Sequence, residues 1–237
     1  MTRRRWIADT WNGTTATLIG EQAEHLSRVL RAEVGQHFDV VAGGHLHRAE
    51  IASISKDTVH FNLHEEQQMD AALPVHLLLA VFKFDRMEWA IEKAVELGVA
   101  RITPILARRS EKHLAQAAEK RAERWRRIAR EAAQQSRRSD VPEIRTPSHL
   151  KLALEKETAP LKLLLAETEE QNTLAAALRD HKNTQTALAI GPEGGWTAEE
   201  MALFTAHHWQ HVTLGPRILR AETAAIAALA IASAFLG

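Results

Sequence analysis

Alternating hydrophobic and polar positions predict a mainly β structure for the first 70 residues. HFDVVA (37–42) and HLHRAEIASI (45–54) flank the glycine pair 43–44, which is typical of a two-residue hairpin turn. TVHFNLH (58–64) alternates with the period of a half-buried strand. EHLSRVLRA (24–32) has helical spacing of its leucines and valine instead. The pattern predicts a small β-barrel with one helix.

The pattern changes after a polar segment that ends at Pro74. Short apolar runs of strand length then alternate with segments of helical period, of which the one at 86–98 ends at Gly98, a residue that favours a helix C-terminus. Strands that alternate with helices predict an α/β domain with a mostly parallel sheet that is covered by helices on both faces. The predicted strands are VHLLLAVF (75–82), RITPILA (101–107), LKLLLAE (161–167), TALAIG (186–191) and HVTLG (211–215), and the last helix is Ala-rich (221–236).

The composition is that of an ordinary globular protein of one or two domains. Of the 237 residues, 45% are apolar and 25% charged, and cysteine is absent. Without cysteine there is no disulfide, Cys-ligated zinc, iron–sulfur cluster or thiolate nucleophile. The basic start lacks the apolar stretch of a signal peptide, and the longest apolar run, 224–232, is too short for a membrane span. We therefore expect a soluble cytoplasmic protein.

The charges balance over the whole chain but are distributed unevenly. Residues 1–70 hold 7 Lys and Arg against 10 Asp and Glu, whereas residues 108–138 hold 11 Lys and Arg against 4 Glu. The second of these segments includes a predicted basic helix near 119–138, which has an apolar face that includes Trp125 and Ile128. Its arginines either contact RNA phosphates, which the surplus of charge favours, or form ion pairs on a solvated helix.

Three predicted strands end in turns that suit a ligand site, since ligands of open α/β sheets bind beyond the carboxyl ends of the strands. The turns are AET (166–168), GPEGGW (191–196) and LGPRILRAETA (214–224). Their glycines would let the backbone line a slot for a flat heterocycle such as adenine, and Thr197 and Glu200 have capping-box spacing. Tight turns without a ligand explain the spacing equally well.

Other common sites have little support. The GxGxxG, GxxxxGK[ST] and GxSxG motifs do not occur. His207 and His211 have i,i+4 spacing but lack the glutamate of a zinc protease motif, and His45 and His47 would share one face of a strand. We expect no metal site.

Two long motifs and three shorter ones resemble one enzyme family. IGPEGGWTAEE (190–200) and LGPRILRAETAAIAAL (214–229) look like the signature of the bacterial ribosomal RNA small-subunit methyltransferase E family, of the SPOUT superfamily. EHLSRVLR, AIEKAVELGV and RWRRIAREAAQQSRRSDVP are similar to further blocks of that family, in the expected order along the whole chain.

The resemblance implies a fold, a cofactor and a substrate. It implies a PUA-like, RNA-binding β-barrel at 1–71, a SPOUT methyltransferase domain with a trefoil knot at 72–237, and a homodimer. The family methylates N3 of a uridine in small-subunit (16S) rRNA with S-adenosyl-L-methionine. By motif position, the cofactor-binding residues are Ala166, Glu167, Ile190, Gly191, Pro192, Gly194, Leu214, Gly215, Ile218, Leu219 and Thr223.

The chemistry of the reaction suggests catalytic residues. Uracil N3 must lose its proton, and the negative charge that develops on O2 and O4 needs a cation nearby. Arg220 is the candidate for this role, with a structural or phosphate contact as the alternative. Glu193 and Glu167 are candidate proton acceptors, or they bond cofactor hydroxyls or cap a helix. The expected RNA-binding residues are Arg4, Arg28, Arg31, Lys83, Arg124, Arg127 and Arg138.

Two other functions remain open at the level of sequence. One is a non-catalytic RNA-binding or ribosome-assembly factor that retains the fold, and the other is a SPOUT methyltransferase with a different RNA target atom. Methylation of pyrimidine C5 by a thiolate mechanism is disfavoured because the chain has no cysteine.

Overall fold

A computed structural model describes residues 5–68 and 71–237 of the chain. The chain divides into two compact units. The first comprises Met1–Ala71 and Ala133–Asp140, and the second comprises Ala72–Ala132 and Val141–Gly237. The fold is mixed α/β, with a curled sheet in the first unit and a parallel sheet in the second.

The first unit is built on a six-stranded sheet in the order β1-β4-β5-β6-β3-β2. Its neighbouring strands are antiparallel except for β1 and β4, which are parallel. The predicted hairpin is confirmed, and both of its turn glycines have positive φ angles, 59° at Gly43 and 87° at Gly44. The elements are β1 Trp6–Ile7, β2 Thr10–Trp11, β3 Thr15–Ile19, α1 Glu21–Glu24, a π-helical turn His25–Val29, β4 His37–Ala42, β5 His45–Ile54 and β6 Thr58–Gln67.

The core of this unit follows the predicted alternation in β6 but not the predicted helical face. Val59 and Phe61 are fully buried while His60 between them is exposed. In the helical segment Leu26 is buried, but Val29 is 66% and Leu30 51% exposed. The cause is the wider π-helical winding, in which the Leu30 N–H donates to the carbonyl of His25, five residues back.

The second unit is built on a seven-stranded parallel sheet, as predicted. Its order is β10-β8-β7-β12-β11-β13, and β9 also pairs with β8. The strands are β7 Leu73–Ala80, β8 Val99–Leu106, β9 Glu143–Ile144, β10 Ser148–His149, β11 Leu161–Leu165, β12 Thr186–Ile190 and β13 Gln210–Val212. The helices are α2 Phe84–Glu96, α3 Lys112–Gln135, α4 Leu150–Glu155, α5 Leu174–Leu178, α6 Ala198–Ala206 and α7 Ala221–Leu236.

The longer strands and helices of this unit were predictable because their apolar residues are buried in its core. All five residues of β12 are buried, since the strand lies between β7 and β11 in the middle of the sheet. Helices α2 and α7 contact each other, and α7 also contacts β7. Gly98 has a φ of 93° directly after the C-cap of α2, as expected for a glycine there. Within the described residues, no helix combines the length and the apolar character that a membrane span requires.

A buried polar cluster lies within the parallel sheet. The ring Nδ1 of His76 on β7 makes a short hydrogen bond with Glu157, and its Nε2 lies 2.7 Å from the Thr103 hydroxyl on β8. Burial lowers the pKa of His76 below its ordinary value of 6.5, against the opposing effect of Glu157. Burial alone would raise the pKa of Glu157, but hydrogen bonds from His76 and the Ala159 N–H lower it overall. The folded state therefore favours a neutral imidazole beside an ionised carboxylate.

These shifts predict an acid-sensitive fold. The unfolded chain takes up protons at both groups at higher pH than the folded chain, so both contributions act in the same direction. The His76 contribution is complete above its unfolded pKa of about 6.5 and is lost as pH falls through the lowered folded value. The Glu157 contribution is lost as pH falls below about 4.5. Urea unfolding between pH 8 and 4 should show a decline that begins near pH 6.5.

The variant His76→Ala tests the same cluster. It leaves the Glu157 carboxylate, whose side chain is 2% exposed, without its imidazole partner. We expect a loss of about 3 kcal/mol in the free energy of unfolding. His113→Ala is the control, because that side chain is 71% exposed on α3, and it should cost almost nothing. Equal effects of the two variants would contradict this account.

Candidate active site

A cavity of about 1110 Å³ lies at the carboxyl ends of β11, β12 and β13. It is somewhat larger than a typical small-molecule pocket. The three turns singled out in the sequence line it together, because the carboxyl ends of these parallel strands meet at one edge of the sheet. All predicted cofactor-binding residues except Thr223 line the cavity; Thr223 is exposed in the first turn of α7.

The loop after β12 is held by its own backbone and by close packing of its glycines. Gly195, with a φ of 68°, donates its N–H to the carbonyl of Pro192 at 2.8 Å. A Cβ at Gly191 would lie 3.0 Å from Nε1 of Trp196, and a Cβ at Gly194 would lie 3.3 Å from Cβ of Arg109. A side chain at either position would press on its neighbour by a few tenths of an ångström, so glycine packs well at both, besides its place in the cavity wall.

The buried carboxylate of Glu200 fixes the loop after β12 to the loop after β8. Its Oε2 accepts from the Thr197 N–H at 2.9 Å, which completes the predicted capping box of α6. Its Oε1 accepts from the Arg108 N–H at 2.8 Å. One side chain thus positions two of the segments that surround the cavity.

Truncation of Glu200 should be costly. Glu200→Ala removes the acceptor of two backbone N–H groups at a residue that is only 3% exposed. We expect a loss of about 2–3 kcal/mol in the free energy of unfolding. Glu199→Ala, which removes a fully exposed carboxylate at the neighbouring position, should cost much less. A thermal melt of the two variants in parallel decides the matter, and similar melting temperatures would refute the role assigned to Glu200.

The loop after β13 offers main-chain groups to a ligand. Gly215 has a φ of 112° and its N–H lies 3.2 Å from the Thr213 hydroxyl. In the part of the chain that the structure describes, the backbone N–H and C=O groups of Leu214, Ile218 and Leu219 have no hydrogen-bond partner. Unsatisfied backbone groups beside apolar side chains suit the recognition of a flat heterocycle by its edge and its face.

The loop after β11 is stabilised by Glu169. Its Oε1 accepts from the backbone N–H groups of Gln171 and Asn172, each at 2.9 Å. These two hydrogen bonds lower the pKa of the Glu169 carboxyl below its ordinary value. Glu167, two residues earlier, is exposed at the cavity, and its carboxylate has no hydrogen-bond or ion-pair partner among the described residues.

Arginines and glutamates are balanced around the cavity. Within the described residues, four of each line it: Arg86, Arg109, Arg217 and Arg220, with Glu167, Glu169, Glu170 and Glu193. Two of these arginines form hydrogen bonds with other residues of the chain. Arg86 Nη1 donates to Glu193 Oε1 at 2.6 Å, and Arg109 Nη1 donates to the Gly194 carbonyl at 2.7 Å.

Arg220 differs from these two arginines. Its backbone caps α7 with extended geometry, and its exposed side chain has no hydrogen-bond or ion-pair partner in residues 5–68 and 71–237. The guanidinium therefore remains available to a ligand. Arg86 also approaches the buried Glu222 on α7, with Nε 3.7 Å from Oε1, so it connects the first turns of α2 and α7.

Sequence reasoning missed Arg86 and Arg109. Arg109 follows β8, and the rule applied to the ends of β11, β12 and β13 would have included it if it had been applied to β8 as well. Arg86 lies in the first turn of α2, after β7, where the sequence pattern indicates only a helix. No motif marks either residue as part of the cavity.

The residues predicted to bind RNA lie in both units. In the first unit Arg28 is exposed and lies 3.8 Å from Glu24, Arg31 is exposed with a φ of 52°, and Arg138 forms a two-point contact with Asp140 that leaves its side chain 8% exposed. Arg4 lies outside the described residues.

Three more of these residues belong to the second unit, and two of them form ion pairs. Lys83 is exposed at the N-cap of α2. Arg124 Nε donates to Glu88 at 2.8 Å, and Arg127 lies 3.8 Å from Glu131. The Glu88 hydrogen bond raises the pKa of Arg124 above its ordinary value. Such half-exposed pairs contribute little to stability, so they leave both arginines able to exchange partners.

Known protein families match both parts of the chain. The model of an RNA methyltransferase domain matches residues 69–233, and the model of an RNA methyltransferase PUA domain matches residues 18–63. A curated relative, the ribosomal RNA small subunit methyltransferase E of Synechocystis sp., is 37% identical over 226 residues, which cover 94% of this chain and 74% of the relative.

Solved structures are similar over almost the whole length. A methyltransferase of Legionella pneumophila, in complex with the bound cofactor SAM, is 32% identical with a TM-score of 0.85, and the match covers 99% of this chain and 97% of that one. The ribosomal RNA small subunit methyltransferase E of Neisseria gonorrhoeae, bound to S-adenosyl methionine, is 29% identical with a TM-score of 0.86, and the match covers 98% of both chains.

Proposed function

The chain belongs to the ribosomal RNA small subunit methyltransferase E family and is an S-adenosylmethionine-dependent rRNA methyltransferase; we propose that its target is N3 of a uridine in small-subunit rRNA. The observation that carries the proposal is the cavity at the ends of β11, β12 and β13, where main-chain groups without partners lie close to the unpaired Arg220. The N3 position is proposed from the family to which the chain belongs, and the residues around the cavity are compatible with it.

The residues present fit S-adenosylmethionine. The apolar side chains of Ile190, Leu214 and Leu219 line the cavity together with the unbonded backbone of the loop after β13, and these groups suit the faces and edge of an adenine. Ala166, Glu167, Gly191, Pro192, Gly194, Gly215 and Ile218 complete the proposed cofactor site, and Thr223 lies beside it. When bound, the cofactor supplies an electrophilic methyl carbon on a sulfonium.

The chain itself has two tasks in the reaction, which are to align the uracil and to manage its N3 proton. In the proposal Arg220 stabilises the negative charge that develops on O2 and O4 as the proton leaves. Glu193 and Glu167 border the cavity and are the proposed proton acceptors. Arg86 already offsets the charge of Glu193, whereas Glu167 has no partner among the described residues. The methylation rates of Glu167→Gln and Glu193→Gln show which of the two carboxylates accepts the proton.

The proposal assigns rRNA binding to the basic residues of both units. Arg28, Arg31, Lys83, Arg124 and Arg127 present exposed charge that phosphates can neutralise, and Arg4 and Arg138 belong to the proposed set. Domain boundaries at 1–71 for a PUA-like barrel and at 72–237 for a SPOUT domain are part of the proposal. So are a trefoil knot of the cavity loops, a homodimer and a cytoplasmic location, where ribosomes are assembled.

A methylation assay tests the proposed target. Small ribosomal subunits from a strain that lacks this gene are incubated with the protein and S-adenosylmethionine that carries a labelled methyl group, and the nucleosides are separated by mass spectrometry. We expect labelled 3-methyluridine. Label on another nucleoside would keep the enzyme class and move the target atom. No label on subunits or on naked rRNA would favour a non-catalytic RNA-binding or assembly factor with the same fold.

A further inference from the structure

Three metal-ligating side chains meet on the outer face of the sheet of the first unit. His37 on β4 and Glu50 on β5 are directly opposite each other in the antiparallel register. His64 on β6 lies two residues after Asn62, the partner of Glu50, so it is on the same face of the sheet; beyond it the register shifts, since Ala49 pairs with Leu63 but His47 pairs with Glu66. The shift adds one residue to β6, and such a bulge re-aims a side chain.

The donor atoms of the three residues are close to metal-binding geometry. One ligand atom from each of His37, Glu50 and His64 lies within 4.8 Å of the other two. His64 Nε2 and Glu50 Oε2 are 3.5 Å apart. Ligands at about 2.05 Å from a tetrahedral Zn²⁺ ion are separated by about 3.4 Å, so this pair needs almost no adjustment. The separations of up to 4.8 Å that involve His37 would have to shorten for all three donors to reach one ion.

Contrary to the expectation from the sequence, we propose that His37, Glu50 and His64 form a binding site for a Zn²⁺ ion, with water in the fourth position. Two imidazoles and one carboxylate are a ligand set that favours zinc over the hard cations Mg²⁺ and Ca²⁺, which prefer oxygen ligands. Glu50 is partly buried, while both histidines are exposed, so the ion can enter from solvent. A bound ion would tie together three neighbouring strands of the first unit.

The surroundings of the cluster are compatible with a cation. The outward-facing neighbour along β5 is Arg48, whose charge is offset by Asp39 at 3.3 Å on β4. A hydrogen bond stabilises the bulge, since His47 Nδ1 lies 3.3 Å from the carbonyl oxygen of His64. Stacking alone also brings His37 and His64 together, with ring centroids 5.8 Å apart. The alternative is a solvent-exposed pair of His64 and Glu50 that binds no metal, and the test must distinguish this pair from a zinc site.

Nearby histidines provide matched controls. His60 lies on the same strand as His64 and is also exposed, but its Nδ1 is 3.0 Å from the Thr17 hydroxyl. His45 Nδ1 is 2.7 Å from Glu66 Oε1, and among the described residues this pair does not belong to a group of three potential ligands. His60→Gln and His45→Gln therefore change a histidine of the same sheet without removing a member of the proposed site.

Isothermal titration of the untagged full-length protein with ZnCl₂ at pH 7.5 tests the proposal. We expect one Zn²⁺ per chain in the wild type, and an affinity at least about tenfold weaker in His64→Gln and Glu50→Gln. His60→Gln and His45→Gln should bind as the wild type does, and MgCl₂ should give no binding at the site. Added Zn²⁺ should also raise the melting temperature of the wild type but not of His64→Gln.

Several outcomes would overturn the proposal. One is no binding of Zn²⁺ by the wild type; another is binding that His64→Gln leaves unchanged. An equal loss in His60→Gln or His45→Gln would mean adventitious binding by exposed histidines. Circular dichroism of each variant before titration shows that the fold is intact, and His37→Gln provides a second, independent change within the site.

Discussion

Replacement of Leu219 by glutamate should abolish binding of S-adenosylmethionine. Leu219 lies in the wall of the cavity, on the loop after β13, beside backbone groups that are free to bond a ligand. In the proposed site a carboxylate there would replace an apolar contact with the adenine by a charge that the bound cofactor desolvates. We expect the dissociation constant of the cofactor to rise at least about 100-fold, equivalent to about 2.7 kcal/mol.

The control for this variant is Leu152→Glu. Leu152 lies on α4 in the same unit and is 45% exposed, so it tests the same chemical change away from the cavity. Calorimetric titration of both proteins with S-adenosylmethionine gives the comparison, and their melting temperatures show whether either is unfolded. Unchanged cofactor affinity in a folded Leu219→Glu protein would place the cofactor elsewhere.

Arg220→Ala should lower the rate of methyl transfer about 100- to 1000-fold with little change in cofactor affinity. The guanidinium has no partner among the described residues, so in the proposal its charge is reserved for the uracil oxygens in the transition state. Removing an interaction that forms only in the transition state lowers kcat and kcat/KM equally. Single-turnover methylation of small subunits, with the cofactor at saturation, measures the effect.

Arg179→Ala is the matched control for that change. Arg179 is an exposed arginine at the end of α5 and does not line the cavity, so its loss should leave the rate unchanged. Arg220→Lys should restore part of the activity, since it keeps the charge but not the planar fork of donors. A rise in KM for rRNA without a fall in kcat would instead assign Arg220 to phosphate binding.

The strands and helices that carry strong periodicity were predictable from the sequence. The hairpin strands around glycines 43–44, the buried strand β12 and the helix α7 occur where the apolar pattern placed them. Each is determined by local residue spacing or by a turn that only glycines form readily. The cavity loops were predictable for a similar reason, because parallel strands bring their carboxyl ends to one edge.

Contacts between distant segments were not predictable. Arg86 meets Glu193 across 107 positions of sequence, and Glu200 meets the Arg108 N–H across 92. The cluster of His37, Glu50 and His64 depends on the pairing of three strands, which the pattern within any one strand does not show. Two-residue strands such as β9 and β10 are too short to carry a period, so tertiary pairing alone defines them.

Chemical mapping of rRNA in cells tests the central claim most directly. Methylation at N3 blocks the Watson–Crick edge of uracil, so reverse transcription should stop one nucleotide before the modified uridine. We expect one such stop in small-subunit rRNA of the parent strain, its loss on deletion of this gene, and its return with the wild-type gene but not with Leu219→Glu. A stop that persists after deletion, or one that Leu219→Glu restores fully, would contradict the assignment of this chain as the cofactor-dependent uridine-N3 methyltransferase.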